Sequence, residues 1–322
     1  MVFKKMLQKL GVGGPSVDTV LADPRCLPGG SLSGEVRIAG GEGDAEIEHI
    51  ALSLVTRVER GDSGQGMVEF HRVVVAGPTK LPAKQDRAIP FTIPVPWEAP
   101  VTEVGGQRLP RMELGLRTEV SIAKAVDKGD LDPVFVTPLE SQDAVLDAFG
   151  QLGFHFKSAD LEAGRIYGIR QELPFYQEIE FYPPSQFAGR INEVELTMVA
   201  APGGLTVVLE ADKRNGMFGG GGGDFIGRFE ASHQEAADMD WPRMFGEWLE
   251  SVSSRRGGMM QGFGGGHDGH RGQHGHHGGR RGHGGGGMGG MLAAGAAGVV
   301  GGMMIGEMFD GGGDEGGGGE EE

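Results

Sequence analysis

"IEHIALSLVTRVE", residues 47–59, decides the fold class. Ile50, Leu52, Leu54, Thr56 and Val58 fall on one face of an extended chain, opposite Ser53, Arg57 and Glu59. Apolar side chains at every second position suit a half-buried strand and scatter around a helix. The neighbouring stretches repeat the pattern. "SLSGEVRIAG" (31–40) follows the turn "LPGG", and "MVEFHRVVVAG" (67–77) and "LGLRTEVSIAKAVD" (114–127) alternate similarly. In "AIPFTIPVPWEAP" (88–100), Ile89, Phe91, Ile93, Val95 and Trp97 share one side and Pro90, Pro94 and Pro96 the other. Proline cannot donate to a ladder, so an edge strand is expected here. "KGDLDPVFVTPL" (128–139) reads as an extended linker, and "LESQDAVLDAFGQLG" (139–153) as the one helix of this half.

Strand patterns restart with "GFHFKSADL", "RQELPFYQEIEFYPP", "INEVELTMVAA", "GLTVVLEADKR" and "DFIGRFEASH", with a glycine-rich loop "GMFGGGGGD" (216–224) between the last two. So many short strands with Gly/Pro turns imply two β-sandwiches. "MDWPRMFGEWLESV" (239–252) then places Trp241, Met244, Phe245, Trp248, Leu249 and Val252 on one helical face, with Asp240 at the N-cap and Pro242 in the first turn. The face led by Trp241, Phe245 and Trp248 is expected to pack on the second sandwich; the alternative is a protein- or membrane-binding helix.

Composition sets limits. Of 62 glycines, 30 lie after Ser254. The net charge of −16 argues against nucleic acid as partner, because phosphate binding needs a basic surface. Residues 255–283 nevertheless carry five Arg, six His and one acid, and residues 307–322 carry seven acids. The single cysteine, Cys26, excludes an internal disulfide and fits a reducing compartment. The opening "MVFKKMLQKLGVGG" lacks the apolar run of a signal peptide and reads as a short amphipathic helix, docked on the body or touching a membrane surface.

Chemistry-bearing motifs are few. "GDSGQG" (61–66) has the look of a serine-protease loop but lacks a histidine in protease-like surroundings, and a hairpin loop is expected. "DKGDLD" (127–132) lacks the glycine turn and terminal glutamate of a calcium loop. His267, His270, His274, His276 and His277 are weak metal candidates, since glycine neighbours supply no fixed geometry. His155 and His233 are isolated. No cofactor and no enzymatic activity are expected.

Seven stretches in order resemble the sporulation-control protein family, the sporulation stage-zero M proteins. They are "FKKMLQKLGVGGPSVDTVL", "LPGGSLSGEVRIAGG", "IPFTIPVPWEAP", "RTEVSIAKAVDKGDLDPVFVTP", "GFHFKSADLE", "EIEFYPP" and "DWPRMFGEWLE", spanning roughly residues 1–252. The resemblance implies an arrestin-like fold and a role in bacterial developmental or cell-cycle control, and brings no catalytic residues. The expectation is a mainly β protein: two arrestin-like β-sandwiches in tandem (1–138 and 139–254), a closing amphipathic helix and a flexible Gly/His-rich tail (255–322). Its expected function is that of a cytoplasmic, non-enzymatic adaptor acting through protein partners.

The alternative rests on the tail. "MGGMLAAGAAGVVGGMMIGEMF" (288–309) places Gly289, Ala293, Ala297 and Gly301 on one helical line and Gly290, Ala294, Gly298 and Gly302 beside it. Small residues at that spacing let helix backbones approach closely. Residues 288–306 therefore offer self-association into a homo-oligomer, or contact with the inner face of the cell membrane. On that reading the protein is a membrane-associated or self-assembling structural protein.

Overall fold

The computed structural model describes residues 13–61, 64–123, 126–213 and 225–254. Strand β1 (Ser16–Leu21), β3 (Ser31–Ala39) and β7 (Asp86–Pro94) form a three-stranded antiparallel sheet in the order β1–β3–β7, so the proline-bearing strand is at an edge as expected. Facing it is a second layer centred on β4 (Ala45–Glu59), the strand that contains residues 47–59. β10 (Leu114–Ile122) flanks β4 on one side, with β11 (Lys128–Pro133) beyond it. β5 (Gln65–Ala76) and β6 (Thr79–Leu81) pair with β4 in the same layer. Leu32, Val36, Ile38, Phe91 and Ile93 from one layer meet Ile50, Leu52, Leu54, Leu116 and Val120 from the other in a single apolar core. Burying two apolar sheet faces against each other drives this sandwich together.

The "LPGG" turn locks onto the edge strand. Gly29 has φ +71°, and a Cβ there would lie 2.4 Å from the Trp97 ring. The turn and the proline-rich strand thus need each other.

The stretch expected as a linker is structured. Its first part is β11, paired with β10, and β12 (Phe135–Val136) pairs in parallel with β2 (Arg25–Cys26). Residues 128–136 therefore belong to the first half. A small hairpin of β8 (Glu103–Val104) and β9 (Gln107–Arg108) completes it.

The second half differs from the expected sandwich. Strands β13 (His155–Ala163), β14 (Phe175–Tyr182), β15 (Ile191–Ala201), β16 (Gly204–Lys213) and β17 (Phe225–Ala231) form one antiparallel run in sequence order. Among the described residues the opposing layer is helical: α1 (Glu140–Leu152), α2 (His233–Asp238) and α3 (Trp241–Ser254). Val145, Ala148 and Phe149 of α1, and Trp241, Phe245, Leu249 and Val252 of α3, pack on Leu161, Ile179, Phe181, Val194, Leu196, Val207 and Leu209. A sheet with one apolar face needs a cover, and two amphipathic helices supply it as well as a second sheet would. Alternating strands alone do not say which cover is used.

One parallel bridge, Glu162 to Glu59, links β13 to β4 where β10 has ended, so the larger layer runs continuously through ten strands.

Candidate functional site

The two outer sheet faces treat their charges differently. In the first half, register places Ser53 of β4 between Arg72 of β5 and Arg117 of β10. Arg72 Nη2 donates to Glu119 at 2.9 Å, Glu119 lies 3.2 Å from His49, and Arg117 pairs with Glu69. The hydrogen bond from Arg72 holds the Glu119 carboxyl below its ordinary value. Cations and anions are matched.

In the second half acids outnumber the cations beside them, Lys157 and Arg111 being those that act on Asp160, Glu180 and Glu193. Its strands carry acids at alternate positions, all pointing away from the helices: Asp160 and Glu162 on β13, Glu178 and Glu180 on β14, Glu193 and Glu195 on β15, Glu210 and Asp212 on β16. Register aligns Asp160 with Glu178, and Glu180 with Glu195 with Glu210. Like charges opposite one another repel. Lys157 answers two of them: its Nζ is 2.7 Å from Glu180 and also pairs with Glu193. Burial works against the Lys157 charge, but the bonds to both glutamates win and raise its pKa. Neither Glu178 nor Glu195 has a hydrogen-bond or ion-pair partner among the described residues.

The consequence is a face that retains protons. Burial, reinforced by Glu195 and Asp160, pushes Glu178 up to about 8. Burial and Glu210 push Glu195 up to about 7. Burial and Glu59 push Asp160 up to about 6, and the same two causes raise Glu162. Carboxylate oxygens of Asp160, Glu162 and Glu178 lie within 4.8 Å of one another, and Asp160 Oδ1 is buried with no partner. Oxygen donors of this kind suit a hard cation such as Ca²⁺, which takes six to eight of them. The trio supplies only the beginning of such a set.

The chain between β13 and β14 crosses this face. The Gly168 carbonyl accepts a hydrogen bond from Arg228 Nη1 of β17 at 2.8 Å. Arg165 turns back onto the Gln171 carbonyl, and Gln171 Oε1 accepts from the Ile166 amide at 2.6 Å. Tyr167, at 91 % exposure, stands out from this loop. The floor is anionic, and among the described residues the loop builds one wall over it.

The sequence candidates lie elsewhere. Trp241 and Phe245 are buried in the core beneath α3, and Trp248 is half-buried over β17, so this helix face is occupied by the sheet. Asp240 does cap α3, its Oδ1 accepting from the Arg243 amide at 3.2 Å. His233 is not isolated: it meets Ser141 of α1 at 2.8 Å and the Ala201 carbonyl at 2.8 Å, and stacks on Trp97 at 5.4 Å. Those contacts give it a structural role. His267, His270, His274, His276, His277 and the small-residue segment 288–306 lie outside the described residues. So does the N-terminal stretch 1–12. The acidic face went unnoticed in the sequence. Its signal is there, as glutamate or aspartate at i, i+2 in four successive strands, but only register turns four pairs into one patch.

Among the described residues no helix is long and apolar enough to cross a membrane. Comparison with known proteins gives a consistent result. The family model described as SpoOM protein matches residues 3–215. The sporulation-control protein spo0M of Bacillus subtilis (strain 168) is 32 % identical over 216 residues, covering 66 % of this chain and 81 % of that protein. The crystal structure of Spo0M from Bacillus subtilis superposes with a TM-score of 0.64 at 26 % identity, over 75 % of this chain and 100 % of that one. The order of motifs, the β-rich fold and these matches agree: the chain belongs to the Spo0M family of sporulation-control proteins.

Proposed function

We propose that the chain is a non-enzymatic adaptor of the arrestin-like type, cytoplasmic and acting in bacterial developmental control through protein partners. Kinship with a protein named for sporulation control supports the regulatory setting. The observation that supports the mechanism is the pair of neighbouring carboxylates on the outer face of β14 and β15, Glu178 and Glu195, which have no hydrogen-bond or ion-pair partner among the described residues. A face that pays for its charges by holding protons gains when a cationic surface replaces them, so the partner we infer is basic. The first half, with its two facing sheets, is the module we read as arrestin-like; the sheet-and-helix half is its tandem companion and carries the contact.

The test is capture from the host cell with the full chain, a Glu178→Lys/Glu195→Lys variant of matched melting temperature, and a chain lacking residues 255–322. The adaptor reading expects one protein to be retained by the full chain and the truncated chain and lost from the charge-reversed variant. Retention by the charge-reversed variant would remove the face from the mechanism. Loss of localisation or oligomerisation on truncation alone would favour assembly through residues 288–306.

A further inference from the structure

We infer that residues 164–170 are a flap: a closed turn that lifts as a unit from the outer face of β15 and β16. Arg228 of β17 holds it shut at its tip, and Glu98 of the first half holds the base on which it hinges. The inference stands on burial and hydrogen bonding and is independent of the adaptor reading above.

Three side chains of the outer face are buried although they point away from the helices. Leu196 of β15 and Val207 and Leu209 of β16 belong to the core that α1 and α3 cover. Alternation along a strand turns Thr197, Val199 and Val208 the other way, and register sets Thr197 beside Val208. Yet Thr197 is 5 %, Val199 6 % and Val208 8 % exposed. Arg228, opposite Val208 on β17, donates Nη1 to the Gly168 carbonyl at 2.8 Å. Among the described residues, 164–170 is thus the stretch held over this row. Ile166 and Ile169 are half-buried while Tyr167 and Arg170 are exposed, which gives the stretch an apolar underside.

The stretch is closed on itself. The Gly164 amide donates to the Pro174 carbonyl at 2.9 Å, so the two ends of the loop between β13 and β14 meet. The Ile169 amide donates to the Ile166 carbonyl at 3.2 Å, and Gly168 inside that turn takes φ +75°. A Cβ at Gly168 would lie 3.2 Å from Arg228 Nη1, so the latch needs glycine to come this close. Arg228 is itself aimed by its Nε, which donates to Glu230 at 2.8 Å. Compact loops whose ends touch open as cooperative units, at a cost below that of global unfolding.

The base is fixed from the first half. Gln171 is buried, its Oε1 accepting from the Ile166 amide at 2.6 Å and its Nε2 donating to the Phe175 carbonyl at 3.4 Å. Directly after it, the amides of Glu172 and Leu173 donate to the two carboxylate oxygens of Glu98, at 2.7 and 2.8 Å. Leu173 is anchored in the core. Glu98 follows Trp97, which stacks on His233, and precedes Val101, whose amide and carbonyl bond the Gln177 side chain at 3.0 and 2.7 Å. A carboxylate that takes two adjacent amides makes strong bonds and fixes their direction. Residues 97–101 therefore carry the seating of the first half to the hinge, and Glu98 is a positioning residue for the flap.

The test reads how fast a thiol reagent labels a single introduced cysteine in the full chain. Val208→Cys places the thiol under the flap, and Val207→Cys places it on the helix side of the same strand, where exposure requires the sheet to come apart. Native Cys26 is buried and burial pushes its thiol up to about 12, so it does not compete. Labelling at 208 should be slower than that of a free thiol and faster than labelling at 207. Arg228→Met should speed labelling at 208 by about ten- to a hundredfold, the worth of a hydrogen bond from a charged donor, and leave 207 unchanged. Glu98→Ala should also speed labelling at 208, and Glu98→Gln, which keeps one acceptor, should do so less. Acceleration at 207 would mark a variant that unfolds, and Glu98→Gln then carries the hinge test. Equal rates at 207 and 208 in every variant would overturn the inference, because the row would then open only with the sheet. Free-thiol labelling at 208 before any latch is removed, or no response to Arg228→Met, would overturn it too. A response to Arg228→Met with none to either Glu98 variant would overturn the hinge. The measurement needs no partner, so its failure leaves the adaptor reading standing, and loss of partner capture leaves the flap standing.

Discussion

The indole of Trp248 occupies the space that a side chain on Gly227 would need: a Cβ there would lie 2.6 Å from Nε1 and 3.0 Å from Cδ1. α3 is therefore seated on β17 through a missing side chain, and the seat works only if both residues keep their sizes. Gly227→Ala should push α3 off the sheet, costing roughly 1–3 kcal/mol through overpacking. Trp248→Ala should cost about 2 kcal/mol, less than a fully buried tryptophan because one side of the ring is open. The double variant should cost less than the sum, since an alanine at 227 then has room. Thermal melts of the four proteins settle this, and additivity would mean that the two residues are not coupled.

The turn that precedes β3 makes a similar demand. Gly29 combines a φ of +71° with a Cβ position 2.4 Å from the Trp97 ring. Gly29→Ala should lower stability by roughly 2–3 kcal/mol, from backbone strain and from displacement of Trp97. Because Trp97 stacks on His233, the change should also be visible as shifted histidine resonances, whereas a purely local effect would leave them in place.

Stability should fall as pH rises from about 5 to about 8. In the unfolded chain Glu178 and Glu195 titrate at the ordinary glutamate value, 4.5; burial and neighbouring carboxylates push them up to about 8 and about 7 in the folded chain. Between those values the native state holds protons that the unfolded state has released, so raising the pH favours unfolding. Asp160 on β13 and Asp132 on β11, each pushed up to about 6 by burial, act in the same sense. The groups facing Glu178 are Asp160 and Glu162 on β13, Glu195 on β15 and Glu210 on β16, all of which raise its pKa. Melting temperature should drop by several degrees across this range, and Glu178→Gln should flatten the curve. A melting temperature that rises towards pH 8 would contradict the unmatched face.

Lys157 is the cation that binds two of the acids, and its replacement by methionine removes both pairs while keeping the stem. The expected loss is about 1 kcal/mol at pH 7, larger in low salt than in high. Burial works against the Glu180 charge, but the bonds from Lys157 and Ser158 win and hold its carboxyl below its ordinary value, so the difference should narrow once acid protonates that group. A loss that does not depend on salt or pH would assign Lys157 a packing role instead.

Residues 1–254 should fold without the tail. Among the described residues, both apolar clusters are assembled from residues 17–252. The truncated chain should melt cooperatively, and its shortfall against the full chain should vanish in one molar salt if the tail contributes only by ionic contact. A shortfall that survives high salt would mean that the tail is packed into the body.

How far sequence reasoning reached can be seen at three places. Residues 47–59 announced a strand because alternation has one physical meaning, and Ile50, Leu52 and Leu54 are indeed fully buried. Pro90 and Pro94 announced an edge because a residue without an amide hydrogen cannot sit between two strands, and β7 is at that edge. Residues 128–136, by contrast, carry too few apolar side chains to register as strands, and only their pairing with β10 and β2 makes them so.

The sequence by itself determined the strand-rich class, the family, the α1 and α3 helices and the separate charge of the tract after Ser254, because period, proline, capping and charge are local properties. Tertiary structure decided the rest. Whether the second half's apolar face is covered by strands or by helices depends on which elements meet, and nothing in an alternating strand specifies its cover. Whether Asp160, Glu178, Glu195 and Glu210 are scattered surface acids or one repelling face depends on register, and a shift of one residue would have turned a whole strand's side chains to the other side.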